Sequence, residues 1–205
     1  MCLCPIIPLL LDNDGMYHIY NRAVGNEILF RSEKQYLHFL KGIDKYLLPK
    51  ADIWSYCLMP NHFHLLIKIK EGTTGEEISK AISDCCNGYT KWLNVSQKRK
   101  GNLFMRPFKR NKIKEDSHLA WTIWYIHRNP LHHGLANDLN NWKFSSYKAI
   151  TSTKTKIAAL EVLDFSSPHS LLVSVVRWSA TVWLYGAQKL VIFSNFNYAR
   201  TQSHK

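Results

Sequence analysis

The sequence predicts an α+β protein in which helices pack on one antiparallel sheet. Segments typical of strands alternate with segments typical of helices, and two neighbouring strand segments are joined by only a short Pro60-Asn61 turn. The 205 residues are 46% hydrophobic and 13% aromatic, which is ample for a packed core. This composition argues against a disordered chain and favours one main domain with an extension.

The first half of the chain is predicted to contain three strands and one helix. Residues 16–22 form the first strand. Ser32 is a suitable N-cap for a helix over residues 33–48, where apolar side chains follow one stripe until a proline ends the pattern. Residues 53–58 and 63–69 form the next two strands, and their short connection indicates an antiparallel hairpin.

The second half is predicted to add two helices and one strand. Periodic apolar residues indicate a helix over residues 74–95, and a strand follows at residues 108–113. The last helix covers residues 116–128 and is closed by Asn129-Pro130, because proline disfavours helix continuation. The resulting order, βαββαβα, is typical of a ferredoxin-like split βαβ arrangement.

Residues 1–150 are expected to form this domain, and residues 151–205 a C-terminal extension to which the sequence assigns no role. Charged and polar residues interrupt the apolar run of the extension, so we do not expect it to span a membrane. Residues 1–11 lack a basic region and contain two prolines, so no signal peptide is expected. The five cysteines form no Cys-X-X-Cys pair, which fits a reducing cytoplasm.

The charge of the chain points to a polyanionic partner. The formal net charge is +12, and residues 85–114 contain no acidic side chain. Because basic groups neutralise phosphates and exposed aromatic rings stack on unpaired bases, this segment favours nucleic acid over a membrane surface. The alternative is that its aromatic residues are core and its charges a solvated loop. The candidate stacking rings are Tyr89, Trp92, Phe104 and Phe108, and the candidate DNA contacts are Arg22, Lys98, Arg99, Lys100, Arg106, Lys109, Arg110 and Lys112.

Two histidines at the start of the third strand are candidate metal ligands. Alternate side chains of a strand share a face, so His62 and His64 project together while Phe63 packs into the opposite face. Imidazoles about 6–7 Å apart on one face can converge on one divalent cation. The alternative is a half-exposed strand that carries two histidines by chance.

The last helix supplies a candidate nucleophile. Tyr125 and Asn129 are four residues apart and share a helical face. A tyrosine can attack a phosphate covalently, but its ordinary pKa near 10 means that it needs an activated electrophile, which a histidine-held cation would provide. Asn129 would add an oxygen ligand and so favour Mg²⁺ or Mn²⁺ over a closed zinc site. The alternative is a tyrosine at the edge of the core.

Together these motifs resemble the single-tyrosine HUH transposases of the insertion-sequence-200-like group, and most closely the branch of REP-associated tyrosine transposases. The resemblance extends from Met16 to Tyr147. It depends on five motifs in the same order, which are YHIYNR at residues 17–22, LMPNHFHLL at 58–66, GNLFMRPFK at 101–109, YIHRNP at 125–130 and WKFSSY at 142–147.

The resemblance implies a metal-dependent endonuclease and strand transferase that acts on single-stranded DNA beside a hairpin. His62 and His64 match the metal histidines of the family, Tyr125 its catalytic tyrosine and Asn129 a third ligand one turn later. Cleavage would leave a 5′-phosphotyrosine and a free 3′-hydroxyl that can rejoin an end. We expect a monomer or homodimer with no membrane partner, located in the bacterial cytoplasm with the nucleoid.

Two other functions stay open at this stage. One is a domesticated DNA-binding protein with weak or no catalysis. The other is a histidine–metal hydrolase of a small phosphate ester, although no aspartate shows a matching spacing to His62 and His64. Of the remaining candidates, His18 could neighbour the metal, although a core or surface histidine is the favoured interpretation. Tyr20 is a second candidate nucleophile, less favoured because a core position in the strand explains it. His127 lies on the wrong face of the helix relative to Tyr125.

Overall fold

The computed structural model of the protein describes residues 11–152. The predicted N-terminal segment, except for its last residue, and the predicted extension beyond residue 152 lie outside the described residues. The elements in chain order are β1 (Met16–Arg22), α1 (Glu33–Tyr46), β2 (Ala51–Met59), β3 (His62–Ile69), α2 (Gly75–Ser96), β4 (Lys109–Lys112), α3 (Asp116–His132) and α4 (Tyr147–Ser152).

The four strands form one antiparallel sheet in the order β2-β3-β1-β4. β1 and β3 are the central strands, and β1 pairs with β3 on one side and with β4 on the other. This is the strand order of the split βαβ arrangement, and the predicted α+β fold is confirmed.

The two faces of the sheet are covered by different helices. On one face, α1 and α2 pack over the main core, which contains every second residue of β3 from Phe63 to Ile69. On the other face, α3 packs on Cys57, Met59 and Leu66 through a smaller apolar cluster. Because side chains alternate along β3, His62 and His64 project toward α3.

Capping boxes fix the start of the two helices on the first face. In α1, Ser32 and Gln35 satisfy each other's backbone groups, and in α2 Thr74 and Glu77 do the same. The predicted starts of these helices are therefore confirmed. Within the described part of the chain, no helix is long and apolar enough to cross a membrane.

The predicted end of α3 is wrong, because the helix continues through Pro130 to His132. Pro130 lies in the last turn, so its missing N–H removes one hydrogen bond near the end of the ladder rather than in its middle. The carbonyl of Pro130 accepts from the backbone N–H groups of Leu135 and Ala136, and the helix ends four residues later than expected.

The WKFSSY motif at residues 142–147 covers the outer edge of β2. The backbone N–H of Leu58 donates to the carbonyl of Phe144, and the indole N–H of Trp142 donates to the carbonyl of Leu58 at 3.0 Å. The Phe144 ring stacks on Tyr36 with 3.7 Å between centroids. This segment covers an edge strand that would otherwise expose unpaired backbone groups.

Candidate functional site

A cleft of about 660 Å³ opens where the ends of β1 and β3 meet α3. Side chains from both central strands, from α3 and from the segment before β4 line it. Those of chemical interest are Tyr20, Arg22, His62, His64, Arg106, Lys109, Tyr125 and His133.

His62 and His64 project from β3 into this cleft. Their ring centroids are 5.2 Å apart and the rings are nearly perpendicular. His64 is only 5% exposed, whereas His62 is half-buried. Phe63 between them is buried in the opposite core, where it contacts Phe39 and Phe104. The strand therefore holds both imidazoles on one face, as the sequence predicted.

Hydrogen bonds engage one nitrogen of each imidazole. His62 Nδ1 lies 2.7 Å from Asn61 Oδ1, which can only accept, so this nitrogen carries the proton and Nε2 keeps its lone pair. His64 Nδ1 lies 2.9 Å from His18 Nε2. His64 Nε2 is buried and has no hydrogen-bond partner among the described residues. A buried nitrogen without a partner is costly unless a ligand occupies it.

Burial lowers the pKa of both imidazoles. For His64 the loss of solvent is the main cause, followed by the charges of His18, His62 and His133, and the pKa falls well below its usual value. For His62 burial again comes first, followed by His133. The lowered pKa favours neutral rings, which is the form that binds a metal ion.

Asn129 lies beside the two histidines on α3. It is 2% exposed, and its Nδ2 donates to the carbonyl of Tyr125 at 2.8 Å. This bond uses the amino group of the amide and leaves its oxygen available. Asn129 is also close enough to His62 and His64 to favour their protonated forms, which partly offsets the lowering of their pKa.

These three residues fit a hard divalent cation with open positions. Among the described residues, no group of three or more His, Cys, Asp or Glu side chains is arranged to hold a metal ion. A cation bound at this place would have two imidazole nitrogens and the amide oxygen of Asn129 as its protein ligands. Such an incomplete set suits Mg²⁺ or Mn²⁺, which keep several positions for water or phosphate oxygens.

Tyr125 stands at the wall of the cleft, next to His64. The two ring centroids are 5.4 Å apart in an edge-to-face arrangement, and the His18 ring is 6.1 Å from Tyr125. The tyrosine is half-buried and lines the cleft. The structure therefore brings together Tyr125, His62, His64 and Asn129, which the sequence placed on two distant segments.

The predicted DNA contacts separate into three groups. Arg22, Arg106 and Lys109 line the cleft, and Arg106 also donates to Asn87 Oδ1 at 2.8 Å. Lys98 and Lys100 are exposed in the segment after α2 and do not line the cleft. The remaining three have partners elsewhere, namely Glu27 for Arg99, the Phe108 ring for Arg110 and Asp12 for Lys112.

Two of the four predicted stacking rings are buried, and the other two are partly buried. Tyr89 and Phe104 belong to the core over α1 and α2, so their interpretation as base platforms is wrong. They are held there because α2 presents Tyr89 on its buried stripe, and its hydroxyl donates to the carbonyl of Leu29. Trp92 stacks on His38, and Phe108 is partly buried against the same core.

Three further residues contact the candidate catalytic and metal-binding residues more closely than the sequence suggested. His18 is buried against His64, so it neighbours the candidate metal ligands, which was the less favoured of the two interpretations of this residue. His133 follows α3, and its ring centroid is 5.1 Å from that of His62. Trp121 stacks on Tyr125. The strand pairing of β1 with β3 could have indicated His18, because residues of one face alternate in both strands.

The other tyrosine and histidine candidates behave as expected. Tyr20 stacks with His18 and His64 and lines the cleft, so it stays a possible second hydroxyl group there. His127 is buried on the other side of α3, where its Nε2 lies 2.8 Å from the hydroxyl of Ser146.

Comparisons with known proteins support the family that the motifs resemble. No family model matches the chain. A Haemophilus influenzae protein provisionally named a REP-associated tyrosine transposase is 27% identical over 102 residues, covering 45% of this chain and 57% of the relative. A solved structure described as the REP-associated tyrosine transposase bound to a REP hairpin matches with a TM-score of 0.58 and 17% identity.

The structural match covers 69% of this chain and 81% of that chain, and it shows a shared fold. The chain spans a little more than half the length of the curated relative. The chain is therefore similar in sequence to a protein provisionally named a REP-associated tyrosine transposase, and similar in fold to a solved one.

Proposed function

We propose that this chain nicks and rejoins single-stranded DNA beside a hairpin through a covalent bond to Tyr125. The family relationship supports a transposase that binds hairpin DNA, since the matched solved structure holds a REP hairpin. The observation that carries the catalytic proposal is the contact between Tyr125 and His64, whose Nε2 is buried and has no partner among the described residues.

In the proposed reaction, the Tyr125 hydroxyl oxygen attacks the scissile phosphorus and loses its proton. The bond from phosphorus to the 3′-oxygen breaks, and that oxygen takes up a proton to become a free 3′-hydroxyl. The 5′ end stays on Tyr125 as a phosphotyrosine. Attack by a 3′-hydroxyl on this ester reverses the step, so joining needs no external energy source.

His62, His64 and Asn129 would hold Mg²⁺ or Mn²⁺ beside the attacked phosphate. The cation, when bound, supplies a Lewis acid that polarises the phosphate oxygens. Burial keeps the imidazoles neutral and ready to bind, and Asn61 holds the His62 ring with Nε2 free. Arg22, Arg106 and Lys109 are proposed to contact neighbouring phosphates from the walls of the same cleft.

The test is incubation of the protein with a labelled hairpin oligonucleotide and Mn²⁺, followed by denaturing electrophoresis. We expect a denaturant-resistant adduct with the unaltered protein and none with Tyr125→Phe. Tyr20→Phe is the matched control, because this tyrosine lines the same cleft and should still allow the adduct. An adduct that persists in Tyr125→Phe would refute the assignment of the nucleophile.

The same assay separates catalysis from recognition. His62→Ala is expected to abolish the adduct while hairpin binding, measured by fluorescence anisotropy, is retained. Hairpin binding without any adduct in the unaltered protein would favour the domesticated DNA-binding protein instead. Hydrolysis of a small phosphate ester without DNA binding would favour the metal hydrolase.

A further inference from the structure

Trp121 is exposed beside the proposed nucleophile. It lies one helical turn before Tyr125 on α3, and 47% of its surface is accessible. Among the described residues, the other large apolar side chains with such exposure are Val95, Met105 and Leu135, none of which is aromatic. An exposed indole at the mouth of a polar cleft is therefore a distinct feature of this surface.

Trp121 does not hold α3 on the sheet. The helix is attached through the opposite side, where Leu119, Ala120, Ile123 and Ile126 are buried against β2 and β3. Trp121 instead lies parallel to the Tyr125 ring, with a 6° angle between planes and 5.2 Å between centroids. One face of the indole lies against the Tyr125 ring and the Trp124 ring is 6.5 Å away between centroids, while about half of the residue stays exposed.

The Tyr125 ring is consequently held between Trp121 and the histidines. Its other contacts are edge-to-face with His64 and His18. A further cationic group lies along the same helix, since Arg128 is exposed and its guanidinium sits 4.8 Å from the Trp124 ring. The exposed side of α3 thus combines an aromatic ring at the nucleophile with a positive charge two turns later.

We propose that the exposed face of Trp121 is a stacking site for an unpaired nucleobase next to the phosphate that Tyr125 attacks. The inference rests on the proposed function, because the phosphate that Tyr125 attacks joins two nucleosides before it is cut, and Trp121 is in contact with Tyr125. Stacking on an aromatic ring is tolerant of base identity, since every base has a π-face. Trp121 would then bind the DNA next to the cleaved phosphate without selecting a particular base.

A merely structural role for Trp121 is the competing explanation. If the indole only positions Tyr125, its loss should slow adduct formation equally on every substrate. If it also stacks on a base, its loss should matter less where that base is missing. The two roles can be separated by combining protein variants with DNA that lacks single bases, as in a double-mutant cycle.

The experiment uses the full chain and a REP hairpin oligonucleotide, the kind of DNA that the matched solved structure holds, extended by an unpaired single strand on each side. An abasic site is moved through each flank position in turn. Binding is measured by anisotropy and adduct formation by denaturing electrophoresis, for the unaltered protein, Trp121→Ala and Trp121→Phe. Val95→Ala is the control, because it shortens an exposed apolar side chain on α2.

We expect Trp121→Ala to bind the intact probe about 5- to 150-fold more weakly, the range that loss of base–aromatic stacking gives. The loss should disappear at one abasic position, and Trp121→Phe should recover part of the binding. An equal loss on the intact probe and on every abasic probe would overturn the stacking site and leave only positioning.

Failure of the proposed function has a different signature. If the unaltered protein binds the hairpin but forms no adduct, the covalent mechanism is refuted, while the binding cycle still decides whether Trp121 stacks on a base. If the unaltered protein does not bind the hairpin, both proposals are overturned.

Discussion

His18 Nε2 lies 2.9 Å from His64 Nδ1, so a histidine of β1 is hydrogen-bonded to one of the proposed metal ligands on β3. Both rings are buried and their centroids are 5.1 Å apart. When His64 donates through Nδ1, its Nε2 keeps a lone pair that faces the cleft region without a partner among the described residues. His18 is thereby placed to select the tautomer of His64 that can bind a cation.

Replacing His18 should therefore weaken metal binding. We expect His18→Phe to lower Mn²⁺ affinity about 10- to 100-fold, the usual effect of losing a partner that orients a ligand. His18→Gln keeps a hydrogen-bond acceptor and should lose less. Isothermal titration with Mn²⁺ measures both, with His38→Gln as control because His38 stacks on Trp92 away from the cleft. Unchanged Mn²⁺ affinity in a folded His18→Phe variant would contradict this role.

The capping box of α2 should make stability depend on pH. Hydrogen bonds from Thr74, and then Lys50, lower the pKa of Glu77 to about 2. Because this pKa lies below its unfolded value, the contribution of Glu77 is fully present above about pH 4.5 and is lost as the pH falls toward 2. Glu77→Ala should thus lower the urea concentration at the midpoint of unfolding at pH 7, and change this concentration much less at pH 2.5.

Glu76→Ala is the matched control for this prediction. Glu76 lies in the same first turn of α2 but takes no part in the capping box. Its removal should have a smaller effect at pH 7 than that of Glu77. If the two variants behave alike at both pH values, the hydrogen bonds of the capping box are not the source of the pH dependence.

Local patterns in the sequence were sufficient for most of the fold. The strand at 16–22 is found with the predicted bounds. Ser32 and Thr74 precede the two helix starts, where the side chains of Gln35 and Thr74 accept from backbone N–H groups. The end of α3 was wrong because a proline rule applies to helix interiors, while Pro130 lies in the last turn.

Contacts in the candidate site could be predicted from the sequence only between residues of the same strand or the same helix. Alternation along β3 placed His62 and His64 on one face, and helical spacing placed Asn129 near Tyr125. The contact of His18 with His64 depends on the register of β1 against β3, and that of His133 with His62 on where α3 ends. Such contacts join distant segments, and no local pattern encodes them.

The burial of Tyr89 and Phe104 has the same origin. Aromatic residues among basic ones are compatible with both a stacking surface and a core wall. Only the packing of α2 and of the segment before β4 against the sheet decides between the two.

The nucleophile and the proposed metal ligands should act within one chain. Tyr125 and His64 of the same chain are in ring contact, so no second copy is needed to complete the cleft. Mixing Tyr125→Phe with His64→Ala should therefore restore no adduct, although each variant keeps one intact half of the site. Adduct formation in the mixture at a level near one quarter to one half of the unaltered protein would show exchange between subunits and contradict this expectation.

The two ends of β4 should contribute unequally to DNA binding. Lys109 lies opposite Tyr20 in the sheet and lines the cleft, whereas Lys112 lies opposite Tyr17 and is paired with Asp12. Each phosphate contact with a single strand contributes about 0.7 to the slope of log affinity against log salt. Lys109→Ala should weaken binding of the single-stranded flank and reduce this slope by about 0.7.

Lys112→Ala is the matched control, since it removes the same charge from the same strand. Its salt slope should stay close to that of the unaltered protein, because the side chain lies away from the cleft and already has a partner. Anisotropy titrations at several salt concentrations measure both variants. Equal reductions in the salt slope would mean that the net charge of the protein alone attracts the DNA. The single-stranded DNA would then not be shown to lie in the cleft between β1 and α3.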